Sequence, residues 1–132
     1  ASPKAGEEGL IELAQVVEDL LGELEGATGV SVRVGWRTEQ DAYPLITLLM
    51  LDAGVEWASL DSRRFIYRLR FQIDIWHFSA EECDRLATRI TARLAEWAYS
   101  RGYMGFRVES MRDVPSEEVY RKTVEVGFSL IG

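Results

Sequence analysis

From Glu7 onward, apolar residues return every three or four positions. Leu10, Leu13, Ala14, Val17, Leu20, Leu21 and Leu24 fall on one stripe, with Glu12, Glu18, Asp19 and Glu23 mainly off it. That period predicts an amphipathic helix, and Gly26 and Gly29 suit its end. The period then changes to two. Val30, Val32, Val34 and Trp36 alternate with Ser31, Arg33 and Gly35, which predicts a strand with one buried face. After a polar loop at 37–43, the apolar run at 44–51 (PLITLLML) has the length of a strand, with Pro44 at its start. Residues 52–64 (DAGVEWASLDSRR) are too many for a tight turn and predict an extended loop or the projecting tip of a hairpin.

The clearest strand is 65–78 (FIYRLRFQIDIWHF). Phe65, Tyr67, Leu69, Phe71, Ile73 and Ile75 share one face, while Arg68, Arg70, Gln72 and Asp74 share the other. Its length predicts a bend or bulge. Ser79-Ala-Glu-Glu82 then has the form of a capping box, in which the serine oxygen accepts from the third helical amide. The helix it starts runs to about Ser100, with Cys83, Leu86, Ala87, Ile90, Leu94, Trp97 and Ala98 as its apolar stripe. Arg85, Arg89, Arg93 and Glu96 lie on its solvated side. Arg101-Gly102 ends it, Gly105 opens a further strand, and 114–118 (VPSEE) turns into the last one, where Val124, Val126, Phe128 and Leu130 share a face.

The expected order is therefore α-β-β-β-α-β-β: an α+β fold with a mainly antiparallel sheet of about five strands and two helices packed on one face. The length of 132 residues fits one domain with a single core, residues 1–6 forming a flexible tail. No apolar run reaches the roughly 20 residues that span a bilayer, and the first ten residues lack the basic-then-apolar order of a signal peptide. The expected location is intracellular, with no membrane partner.

A net charge of -7 changes the list of partners. An acidic domain repels phosphate backbones and lacks the basic footprint of a nucleic-acid binder. It remains compatible with a protein that surrounds passing DNA without gripping it. One cysteine and one histidine cannot supply a site of three or four His/Cys metal ligands, so neither metal nor other cofactor is expected. His77 could be a general base, but no partner is in sequence view, and an edge-of-core or interface role fits it better. Cys83 lies in the first turn of a helix, where a thiol pKa can fall, yet it begins the apolar stripe and reads as core. No Walker-type or dinucleotide-binding glycine motif occurs. The reading is not an enzyme.

Interaction chemistry is easier to find. Arg68, Arg70 and Asp74 alternate along one strand face, either as a solvated surface with cross-strand ion pairs or as a subunit interface in which charge sets register. Trp57, with Val55 and Leu60 nearby and Arg63 and Arg64 following, either folds back onto its own domain or, the favoured reading, marks the segment at 52–64 as a contact with another subunit, since aromatic anchors are enriched at interfaces.

Residues 68–94 (RLRFQIDIWHFSAEECDRLATRITARL), the Arg112-Asp113 pair and the closing VEVGFSL at 124–130 resemble the tail terminator, or tail-completion, proteins of long-tailed bacteriophages and related prophage elements. In order of elements the resemblance covers nearly the whole chain; in wording it covers these segments. It implies a homo-oligomeric ring, typically a hexamer, that caps the tail tube protein when the tube is complete and meets a head-completion or connector protein. DNA would pass through its lumen without specific binding. The expected location then narrows to the tail-neck region of a virion, with assembly in the host cytoplasm. Another neck or head-tail connector protein, and a small-molecule-binding domain with its ligand between helices and sheet, remain as alternative readings.

Overall fold

A computed structural model describes residues 12–38, 40–59 and 64–132, with 57–59 described by backbone alone. The predicted tail, the helix start at Glu7, and the interface candidates Leu60 and Arg63 lie outside the described residues.

Helix α1 (Leu13–Thr28) buries Val16, Leu20 and Leu24, one residue per turn. It stops where Gly29 takes a positive φ of 69° and donates its N–H to the Glu25 carbonyl, a conformation that glycine adopts without steric cost. Helix α2 (Ala80–Ser100) opens on the predicted cap, Ser79 Oγ accepting from the Glu82 N–H at 3.2 Å. Its buried residues are Cys83, Leu86, Ala87, Ile90, Leu94, Trp97 and Ala98, the predicted stripe. Gly102, at φ 73°, reverses the chain, with Gly102 N–H on Tyr99 O and Tyr103 N–H on Ala98 O closing the last turn. Arg93 binds Glu23, and Arg101 lies 3.4 Å from Asp19, so ion pairs line the seam between the helices.

The strands are β1 (Val32–Val34), β2 (Leu45–Ser59), β3 (Arg64–His77), β4 (Met104–Val114) and β5 (Tyr120–Ile131). They form one sheet in the order β1-β2-β3-β5-β4, parallel between β1 and β2 and antiparallel elsewhere. The element order and the α+β class are as predicted.

Two strand lengths differ from expectation. β1 has only three residues, because Gly35 turns away at φ 109°; Val34 and Trp36 are about half exposed rather than buried. β2 continues well past Leu51, so 52–59 is not an extended loop but one arm of a hairpin with β3, the second of the two expected forms. A register shift between Met50 and Asp52 absorbs one residue, after which the ladder runs from Asp52↔Arg70 to Trp57↔Phe65, and a second shift precedes Ser59↔Arg64. DAG reads locally as a break, but pairing with β3 overrides that preference.

Between sheet and helices lie Ile46, Leu48, Leu69, Phe71, Ile73, Ile75, Val124, Val126, Phe128 and Leu130, all buried against the helix stripes. Phe128 stacks on Tyr103 (centroids 5.2 Å apart) and Phe71 (5.8 Å), and the Trp97 ring meets it edge-on at 5.5 Å. Among the described residues, packed side chains thus fill the layer between helices and sheet. A second, small cluster of Leu45, Trp76 and Val119, with Tyr43 beside it, sits outside this main core.

Candidate functional site on the open sheet face and its free edges

The face of the sheet away from the helices carries the polar residues singled out in the sequence. Asp74 is its anchor. It is only 1% exposed, and Oδ1 accepts from Thr123 Oγ1 at 2.6 Å and Arg121 Nε at 2.9 Å, while Oδ2 accepts from Gln72 Nε2 at 2.8 Å. These bonds follow from register, since Asp74 lies opposite Thr123 on β5 and Trp76 lies opposite Arg121. A buried carboxylate satisfied within its own protomer is not free to meet a neighbour, so Asp74 leaves the set of interface candidates.

Above Asp74 stands a group the sequence reading missed. Arg121 lies over the rings of Trp36 (4.4 Å) and Trp76 (4.9 Å), Arg37 lies over Trp76 at 5.0 Å, and the two indoles meet edge-on at 5.5 Å. Trp76 Nε1 donates to Thr47 Oγ1 at 3.2 Å. This packing lets Arg121 keep its charge with little exposure. The sequence held one signal: in the alternation of β3, Trp76 falls in the polar phase with Gln72 and Asp74, which marks apolar packing on the second face as well.

Farther along the sheet the ion pairs are more exposed. Glu109 bridges Arg70 (2.8 Å) and Arg107 (2.9 Å) from β4 across β5. Gly127 lies between them on β5, and a Cβ there would meet Arg107 Nη2 at 2.9 Å and Glu109 Oε1 at 3.0 Å; its missing side chain leaves the bridge room. The Arg70 bond holds the Glu109 carboxyl below its ordinary range. Arg68 pairs with Glu56 at 2.6 Å. Arg68 and Arg70 therefore stay on the outer surface as expected from alternation, each already carrying a carboxylate. Val55 is 54% exposed on the helix side of β2, and Arg64 is exposed at the start of β3. The backbone of Trp57 pairs with Phe65 in the hairpin.

The sheet has two long edges. β1 covers β2 only at Ile46–Leu48, so among the described residues nothing pairs with the outer side of β2 from Leu49 to Ser59. Likewise β4 is the last strand on the other side, unpaired outward over Met104–Val114 among the described residues. Apolar side chains are exposed at both: Leu49, Leu51 and Val55 on β2, and Met104, Val108 and Met111 on β4. Free edges of this length are templates for pairing unless blunted or covered.

The residues weighed for catalysis lie apart from this surface. His77 Nδ1 accepts from the Ser79 N–H at 3.0 Å, a local bond at the α2 start. Cys83 is 1% exposed, with Sγ 3.8 Å from the carbonyl oxygens of Ile75 and Tyr120. Burial, aided by the nearby Asp84 carboxylate, pushes its thiol up from 9.0 to about 11. A thiol raised in the fold ionises first in the unfolded chain. Its contribution is complete below pH 9 and is lost as pH rises toward 11. The expected result is that the stability gap between wild type and Cys83→Ala narrows by about 2 kcal/mol across that range, read from urea midpoints. A constant gap would contradict it. Among the described residues, no cluster of three His, Cys, Asp or Glu is placed to hold a metal ion, and no helix is long and apolar enough to cross a membrane. The hollow of about 450 Å³ lined by Arg37, Asp41, Tyr43, Glu117 and Glu118 is open, and its Arg37 already donates to Tyr43 Oη at 2.6 Å.

No protein-family model matches the chain, and no curated protein matches it in sequence. Among solved structures, the fold is similar to that of a chain in the virion of a native gene transfer agent particle. The TM-score is 0.51 at 14% identity, and the match covers 96% of each chain. The fold, and the fold alone, is shared at that distance.

Proposed function

We propose that this chain is a structural assembly protein of a phage-like tail, forming a ring that caps the tail tube, ends its elongation and joins it to the head. One observation carries the reading: the fold is shared end to end with a component of a virion particle, over 96% of both chains. The resemblance of residues 68–94 and 124–130 to tail terminators supports the same role independently of the fold. The ring is a homo-oligomer, a hexamer by that resemblance, with the tube protein on one side and a head-completion or connector protein on the other. DNA crosses its lumen without specific contacts, in keeping with a net charge of -7. Such work needs assembly surfaces rather than a catalytic centre, and the open face and free edges are the surfaces available.

The test is molar mass by light scattering after size exclusion over a wide concentration range, with negative-stain images of large species. Closed rings of uniform size are expected. A second expectation concerns the hairpin end: Trp57→Ala weakens the oligomer about tenfold or more, as loss of an aromatic anchor does, and leaves the monomer's circular dichroism unchanged. Unchanged sedimentation of the variant would remove Trp57 from the interface.

A further inference from the structure

We infer that copies of this chain join edge to edge, β4 of one protomer pairing antiparallel with the outer half of β2 on the next, so that their sheets form one continuous sheet. The inference rests on the assembly reading above and names the surface that performs it.

Direction is the first constraint. Within the sheet, β2 and β5 run one way and β3 and β4 the other. A neighbour related by rotation about an axis roughly along the strands keeps its strand directions. Its β2 therefore meets β4 antiparallel, with the helix faces of the two sheets on the same side. The contact is heterologous, since one edge meets a different edge, and it can close into a ring.

Length and side-chain order fit one register. The free edge of β2 begins at Leu49, where cover by β1 ends, and runs to Ser59. β4 runs from Met104 to Val114 and is stopped by Pro115, which cannot extend a ladder. Placing Val55 opposite Val108 sets two exposed apolar residues together on the helix face. Glu56 then faces Arg107 on the open side. One step past the register shift between Val108 and Ser110, Ala53 meets Met111 and Asp52 meets Arg112. Two carboxylates on one edge thus oppose two guanidinium groups on the other. The shift in β4 makes the five-residue Arg107-to-Arg112 spacing match the four-residue spacing of Asp52 and Glu56. With the shift between Met50 and Asp52 in β2 counted, the ends coincide in the same register, Ser59 with Met104 and Leu49 with Val114. Asp52, Glu56, Arg107 and Arg112 are all exposed in the protomer. Charge and bulges of this kind can also serve to blunt an edge. Here, however, the two β2 carboxylates meet the two β4 guanidinium groups in matching order; Glu56 already pairs with Arg68, Arg107 with Glu109 and Arg112 with Glu125 within the protomer, so the contact adds a second partner to exposed pairs and favours one register.

The test is a charge swap. Asp52→Arg with Glu56→Arg, and separately Arg107→Glu with Arg112→Glu, are expected to weaken self-association by about a hundredfold or more, because like charges then face each other. Mixing the two variants in equal amounts restores particles of wild-type mass, alternating around the assembly. Should either variant fold poorly by circular dichroism, Val55→Cys with Val108→Cys in a Cys83→Ala background gives a second readout. Mild oxidation then links neighbours covalently, whereas either single cysteine does not give the ladder. If wild type assembles but the charge variants assemble equally well, or the paired cysteines fail to link, edge pairing is wrong and the ring uses another surface. A wild-type protein that stays monomeric up to its solubility limit overturns both the pairing and the assembly reading.

Discussion

Phe128→Ala is expected to lower the stability of the protomer by about 3–5 kcal/mol, the usual cost of emptying a buried aromatic site. Phe128 is 1% exposed and touches three rings at once: Tyr103 and Phe71 stack on it, and Trp97 meets it edge-on. These partners come from α2, the connection after it, and β3, so relaxation at one cannot fill the space without disturbing the others. Against a typical total of about 5–15 kcal/mol, a loss of that size removes much of the stability. The check is chemical denaturation of the variant beside Phe128→Leu, which keeps most of the volume, and Tyr99→Ala, whose ring is 88% exposed. The leucine variant should lose clearly less, and the Tyr99 variant about 0.5 kcal/mol or less. A Phe128→Ala loss below about 1 kcal/mol would mean the stack is not the packing centre of the fold.

Asp74→Ala should come next, at about 3–5 kcal/mol, for a different reason. The carboxylate is buried and accepts from Arg121, Thr123 and Gln72. Its removal leaves a mostly buried guanidinium without its counter-charge and a buried hydroxyl without its acceptor. The rings of Trp36 and Trp76 still hold Arg121, which keeps the loss toward the lower end of that range. The diagnostic is a double-mutant cycle with Arg121→Ala. Removing both partners should cost less than the sum of the single changes by about 0.5–3 kcal/mol. Strict additivity would show that the pair does not act as a unit. Asp74→Asn, which retains an acceptor oxygen, should fall between wild type and alanine.

These two predictions also separate what local pattern carries from what the fold adds. The stripe of α2, its serine cap, the alternation of β5 and the core phase of β3 were legible because each is set by neighbours within a few residues, through helical or strand period and capping chemistry. The apolar character of Phe128 was legible in the same way. The burial of Asp74 was not. An acid in the polar phase of a strand reads as solvated, and what satisfies this one is Arg121 and Thr123, brought to it by pairing with β5, with Arg121 itself held against Trp36 and Trp76. Alternation is read along one strand, whereas the second face's small core is built from four separate stretches of chain.

The assembly candidates divide along the same line. Sequence alone determined the order of elements, the two-sided character of the sheet and the surface position of Arg68 and Arg70. Only the tertiary structure decided that β5 lies between β3 and β4 and that β1 stops after three residues, which among the described residues leaves β4 as an edge and the outer half of β2 uncovered. Asp52, Glu56, Arg107 and Arg112 look like ordinary surface charges until those edges are known. Strand order and register depend on contacts between residues far apart in the chain, and no local period encodes them.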